Sequence, residues 1–217
     1  MNRYELVVFD WDGTLMDSAG LIASCIQAAC RDLGLPEPTP AQARWVIGLG
    51  ILASVRHVAP ALPESRHAEL GERYRRHFLA REHEAPLFEG IPALLEALRA
   101  RGARLAVATG KSRRGLDRAL AASGLAGSFE ATRCADEGFP KPHPDMVHAL
   151  LEATGVEPAR ALMIGDTTHD LELAANAGID AVGVCYGAHE ADLLRARPAR
   201  HYATSVEDLA RWLQTHG

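Results

Sequence analysis

Leu6-Val7-Val8-Phe9 is an unbroken apolar run of β-formers, and it predicts a buried strand near the N-terminus. The period then changes. From Ser18 to Leu33 the apolar residues Leu21, Ile22, Cys25, Ile26, Ala29, Cys30 and Leu33 recur at helical spacing, with Asp17 or Ser18 placed as N-cap and Gly34 ending the helix. Pro36, Pro38 and Pro40 mark a loop. Further helices are predicted over roughly 41–47, 52–58 and 64–82. Nothing between Asp17 and Ala85 reads as a strand, so this stretch is expected to be an all-helical insertion.

After Pro86-Leu87-Phe88-Glu89-Gly90 the pattern switches again. Helices over 91–101, 113–123, 144–154, 170–177 and 206–214 alternate with short apolar strands over 105–109, 129–134, 161–165, 180–184 and 201–203, of which 129–134 is the weakest. Strands alternating with helices predict a parallel sheet covered on both faces. The expected fold is therefore α/β: a doubly wound, Rossmann-like core from residues 1–15 and 86–217, interrupted by a helical cap at 16–85. No internal repeat or low-complexity segment is visible.

In such a sheet, ligands bind in the crevice outside the carboxyl ends of the strands. The polar residues expected there are Asp10 and Asp12, from Asp10-Trp11-Asp12-Gly13-Thr14-Leu15, then Thr109, then Asp166 with Asp170. Lys141 lies in the loop Phe139-Pro140-Lys141-Pro142-His143-Pro144, ahead of a helix. Taken alone, Asp-x-Asp-Gly is equally a strand-ending turn. Clustered carboxylates repel one another, however, unless a cation or a function offsets the cost.

The set as a whole fits phosphomonoester hydrolysis. Asp10 can attack phosphorus and carry an aspartyl-phosphate. Asp12 can protonate the leaving oxygen and later deprotonate water. Mg²⁺ would be held by the Asp10 and Asp166 carboxylates and the Asp12 backbone carbonyl. Lys141 and Thr109 would neutralise and hydrogen-bond the phosphoryl group.

Composition narrows the classes. The chain has 217 residues, is 47% hydrophobic and 24% charged, and carries a net charge of −5. No basic stripe suggests nucleic-acid binding; Arg73-Tyr74-Arg75-Arg76 and Arg113-Arg114 read as solvated helix faces. No apolar stretch is long enough for a membrane span, and the N-terminus lacks a signal-peptide pattern. Cys25, Cys30, Cys134 and Cys185 form no CxxC pair, and reduced thiols in a cytoplasmic protein are the simplest account. Expected partners are a small phosphorylated metabolite and, at most, a second copy in a weak homodimer.

Two decoys can be set aside. Ala108-Thr109-Gly110-Lys111-Ser112 imitates a nucleotide-binding loop, but Leu105 stands where that pattern needs glycine. Lys111 is better read as a helix-entry residue near the phosphate site. The ten histidines include no zinc-type spacing. His143 and His169 are expected to line the loops, with one of them near substrate.

Four motifs in order, Asp10 to Leu15, Thr109-Gly110, Lys141 in its Lys-Pro-x-Pro setting and Gly165-Asp166-Thr167-Thr168-His169-Asp170, resemble those of the haloacid dehalogenase superfamily. Within its phosphatase branch the chain most resembles phosphoglycolate-phosphatase-like proteins, and residues 16–85 are similar to the C1 cap. The resemblance implies the roles above, a supporting place for Asp170 in the metal shell, and phosphoryl transfer rather than dehalogenation because Asp12 is present.

It further points to Gly13, Gly110, Lys111 and Gly48 as substrate-contacting residues. Gly48 falls in Ile47-Gly48-Leu49-Gly50, which is otherwise a plain helix–helix turn. Arg44 and Lys111 are the cations placed to grip a substrate carboxylate. A lid implies hinges near 15–18 and 85–90. Alternatives on the same fold are a sugar phosphomutase or other phosphotransferase, a pyrophosphatase, and a non-catalytic phosphate-ligand-binding regulator.

Overall fold

The computed structural model describes residues 3–217. Six parallel strands form one sheet: β1 (Leu6–Phe9), β2 (Arg104–Thr109), β3 (Ala131–Cys134), β4 (Ala161–Gly165), β5 (Asp180–Val184) and β6 (His201–Ala203), in the order β3-β2-β1-β4-β5-β6. The order reverses at β1, which pairs with β2 through Phe9↔Val107 and with β4 through Phe9↔Ile164.

Alternate residues feed opposite faces. Val7, Phe9, Val107 and Ile164 pack against Leu95, Leu98, Leu209 and Leu213 of α5 (Ile91–Ala100) and α10 (Val206–His216). Leu6, Val8 and Met163 face Val147, Leu150 and Leu173 of α7 (Asp145–Thr154) and α8 (Thr168–Ala177). A strand buried on both faces must be apolar throughout, which is why Leu6–Phe9 shows no alternation. α6 (Arg113–Ser123) follows β2, and the short α9 (Ala191–Arg195) was not anticipated from the sequence.

The insertion contains helices alone: α1 (Ala19–Asp32), α2 (Pro40–Trp45), α3 (Ile51–Val58) and α4 (His67–Arg81). Where one helix was expected over 64–82, a 3₁₀ turn at Glu64–Arg66 precedes α4 and another at Glu82–Glu84 follows it. The two chain crossings are clasped together. Met16 bridges Leu87, the Asp17 N–H donates to the Pro86 carbonyl (2.9 Å), and the Phe88 N–H donates to the Leu15 carbonyl (3.0 Å).

The cap also grips the core through Trp45, whose carbonyl accepts from Nε2 of His169 (2.8 Å) and of His189 (3.0 Å). His189 Nδ1 accepts the Thr168 N–H, so its Nε2 is the donor. Burial holds both imidazoles below the ordinary histidine range, which keeps His189 Nδ1 available to accept the Thr168 N–H. No helix among the described residues is long and apolar enough to cross a membrane.

Candidate active site

The loops after β1, β2 and β4 bring the polar residues to one crevice at the carboxyl edge of the sheet. Asp10 follows β1 directly, its N–H donating to the Ile164 carbonyl of β4 (2.9 Å). Asp166 follows β4, and the carboxylates of Asp10, Asp166 and Asp170 lie within 4.8 Å of one another, all buried. Lys141 reaches in from its loop and donates to Asp10 Oδ1 and Asp170 Oδ1, each at 2.6 Å, with its side chain fully buried.

Asp170 has no oxygen left over. Its Oδ2 accepts from the Thr167 N–H (3.0 Å) and the Thr167 hydroxyl (2.7 Å), while Thr167 Oγ1 in turn faces the Asp170 N–H in a reciprocal cap of α8. Asp170 therefore fixes both the helix start and the Lys141 ammonium. Asp166 Oδ1 accepts from the Thr14 hydroxyl and Oδ2 from the Ala188 N–H, each at 2.7 Å. Asp10 Oδ2 is different: it is buried and accepts no hydrogen bond.

Three carboxylates against one ammonium leave negative charge in excess. The Asp10 carboxyl is raised to about 7 on balance: burial pushes it up, Lys141 pulls it back, and Asp170 and Asp12 add to the rise. Asp166 is raised well above the usual carboxylate range by burial and by Asp10 and Asp170. Burial alone would push Lys141 down, but Asp10 and Asp170 outweigh it and hold the ammonium above the ordinary lysine range. An orphaned buried carboxylate oxygen beside surplus negative charge and hard oxygen donors fits a divalent cation.

Asp12 sits apart from this cluster. Its Oδ1 accepts from the Ser18 hydroxyl (2.7 Å) and its Oδ2 pairs with Lys111 Nζ (3.0 Å). Ser18 is the N-cap of α1 as expected, but its side chain makes no cap bond because it is turned to Asp12. Lys111 also lies over the Phe78 ring of α4, 4.8 Å from its centroid, so it joins core chemistry to cap packing. Thr109 is fully buried, and its Oγ1 accepts the Lys111 N–H (3.2 Å), leaving the hydroxyl proton free to be donated.

Asp10, Asp12, Thr109, Gly110, Lys111 and Gly48 all line a single cavity of about 490 Å³ between core and cap. Gly110 and Gly48 meet there: a Cβ on Gly110 would stand 2.6 Å from the Gly48 carbonyl oxygen, so only glycine lets the cap turn descend this far.

Gly13 is placed elsewhere. Its N–H donates to the Met16 carbonyl (2.8 Å), its φ is +89°, and a Cβ would stand 2.1 Å from Asp166 Oδ2. It supports the carboxylate site rather than the cavity wall. Gly13→Ala is expected to destabilise the fold by at least about 2 kcal/mol and to depress activity, since backbone strain and displacement of Asp166 act together. An unchanged melting temperature with near-normal turnover would remove that role.

Arg44 departs from expectation: it points to the Gly187 carbonyl (3.4 Å) and does not line the cavity. His169 and His143 do not line it either; His169 holds Trp45, and His143 packs against Phe139. Thr14, Ser18 and Thr167 form the supporting shell, yet sequence reasoning gave none of them that role. Thr14 and Thr167 lay inside quoted motifs, which was the available signal; Ser18 carried only its capping signal. Tyr74 and Phe78 of α4 reach the cavity through tertiary packing alone.

Comparison with known proteins adds a second line. The family model described as haloacid dehalogenase-like hydrolase matches residues 7–184. The chain is 34% identical over 219 residues to a 5'-nucleotidase of Pseudomonas aeruginosa, covering 99% of this chain and 97% of that protein. It is 36% identical over 180 residues to a phosphoglycolate phosphatase of Aquifex aeolicus, covering 80% and 81%. The crystal structure of a "predicted phosphatase" from Clostridium acetobutylicum matches at TM-score 0.87 and 26% identity, covering 98% of this chain and 99% of that one.

Proposed function

The chain belongs to the haloacid dehalogenase-like hydrolases, and on that premise we propose that it is a Mg²⁺-dependent phosphatase of a small phosphomonoester, working through an aspartyl-phosphate on Asp10. The observation that carries this reading is Asp10 itself. It is a fully buried carboxylate at the tip of the central strand, held through Oδ1 by Lys141, with Oδ2 free of any donor and the side chain lining the cavity.

An Asp10 oxygen forms the bond to phosphorus as the bond from phosphorus to the leaving oxygen breaks, and Asp12 gives that oxygen a proton. Water then attacks the aspartyl-phosphate, Asp12 takes the water's proton, and the phosphorus–Asp10 bond breaks to release phosphate. Ser18 keeps Asp12 in one orientation for both transfers. Thr109 donates to a phosphoryl oxygen and Lys141 balances its charge.

Asp10, Asp166 and the Asp12 carbonyl would hold Mg²⁺, with Asp170 supporting them through Lys141. The bound cation would supply charge neutralisation for the phosphoryl group. The phosphoglycolate phosphatase and the 5'-nucleotidase among its relatives support a phosphate ester of a metabolite as substrate.

The test is phosphate release from a panel of small esters with Mg²⁺, using wild type and Asp12→Asn. We expect release by the wild type, and a loss of about 10²–10⁴-fold in the variant where proton transfer limits the rate. Phosphorylation of added sugar phosphates with no phosphate release would replace this reading with a phosphomutase.

A further inference from the structure

We infer that the leaving group of the substrate is a bulky, uncharged, predominantly apolar alcohol or phenol, taken up by the cavity that runs from Asp10 into the cap. The inference rests on the phosphatase reading above and specifies its substrate class.

The cavity's volume, about 490 Å³, falls in the range of about 300–1,000 Å³ that encloses drug-sized ligands. Its cap walls are apolar: Ile22 and Ile26 of α1, Val55 of α3, and Leu70 and Phe78 of α4. These side chains belong to two packed apolar groups of the cap, and the cavity opens between them.

Three cations reach it, each in an ion pair, two of them at the exposed rim. Lys111 is bound to Asp12 at 3.0 Å and is only 10% exposed. Arg118 pairs with Glu82 at 3.3 Å and Arg75 with Glu72 at 2.6 Å. Arg44, the other candidate cation, is turned to the Gly187 carbonyl outside the cavity. A phosphocarboxylate would have to draw one of these cations away from its carboxylate partner or set its second anion against apolar walls at a desolvation cost. Pyrophosphate would meet the same obstacle.

The mouth carries the second observation. Ile51, Leu52 and Leu79 are 38%, 56% and 39% exposed and all line this cavity. They are three of the five large hydrophobic side chains that are exposed among the described residues. Large apolar side chains gathered at one opening mark a surface that meets an apolar ligand. Tyr74 supplies one hydroxyl in the wall, kept protonated by burial and the nearby Asp12 carboxylate, and that hydroxyl can meet a single polar atom of the leaving group.

The experiment compares ethyl, butyl and hexyl phosphate with 2-phosphoglycolate at fixed Mg²⁺, measuring kcat/KM. Primary alkyl phosphates share one leaving-group chemistry, so the series reads burial of the chain. We expect a rise of about two- to fourfold per added methylene, in line with the transfer of a CH₂ group from water, and hexyl phosphate ahead of 2-phosphoglycolate. Leu52→Lys combined with Leu79→Lys, both on the exposed rim, should narrow the hexyl-to-ethyl ratio at least threefold. A flat series, or 2-phosphoglycolate ahead of hexyl phosphate, overturns the inference while leaving the phosphatase reading intact. Release from none of the esters overturns the phosphatase reading, and this inference falls with it.

Discussion

Asp10→Asn is expected to lower phosphate release by at least about 10⁴-fold, the scale seen when a covalent nucleophile is removed, while the protein stays folded. Both halves follow from the site. The amide cannot form the aspartyl-phosphate, and neither Asp166 nor Asp170 can take its place. Asp166 is tied to Thr14 and Ala188, and Asp170 to Thr167 and Lys141.

Stability should not suffer, because the wild-type cluster sets three buried carboxylates against one buried ammonium. A neutral amide keeps an oxygen for Lys141 and removes one source of repulsion, and Asp170 remains as the lysine's counter-ion. The melting temperature should hold or rise. Turnover within tenfold of wild type would remove Asp10 as nucleophile; a collapse in melting temperature would mean that its charge is needed to hold Lys141 in place.

The fold was legible in the sequence where burial is two-sided or a glycine stops a helix. Ala161–Gly165 and Asp180–Val184 were read to the residue, since continuous apolar runs leave no other home than the middle of a covered sheet. The helix Arg113–Ser123 was read to the residue as well, with Ser112 capping it and Gly124 left-handed at its end.

Less was legible where contacts span the chain. Ser18 carries an N-cap signature, and nothing local says that its hydroxyl turns to Asp12 instead. Arg44 and Lys111 both looked free to meet a substrate, but which carbonyl or carboxylate each one reaches is decided by cap docking. The cavity's apolar character comes from α1, α3 and α4 meeting face to face, and each helix alone reads as ordinary core. The same docking places His169 and His189 on the Trp45 carbonyl, a junction between residues 124 and 144 positions apart. Residues that carry chemistry in a motif announce themselves; residues that orient them through tertiary contact do not.

Chelation is expected to silence the enzyme completely, and added Mg²⁺ to restore it, with an accompanying pH signature that tests the carboxylate cluster directly. In the folded protein Asp10 is raised to about 7 and Asp166 is likewise raised well above the usual carboxylate range, whereas the unfolded chain returns both to about 4. Between those limits the folded state binds more protons than the unfolded state. Linkage then requires the stability of the chelated protein to fall as pH rises from about 4 through 7.

Mg²⁺ binds the deprotonated carboxylates, so it competes with these protons, and its affinity should strengthen below pH 7 by up to about tenfold per pH unit for each proton displaced. The rise in melting temperature produced by Mg²⁺ is therefore expected to be clearly larger at pH 8 than at pH 5.5. An equal or larger rise at pH 5.5 would mean that the cation does not displace protons from Asp10 and Asp166. Turnover that survives exhaustive chelation would remove the cation from the reaction, leaving Lys141 to balance the phosphoryl charge alone. That charge balance would be poor in a site already carrying surplus carboxylates, which is the physical reason to expect the opposite result.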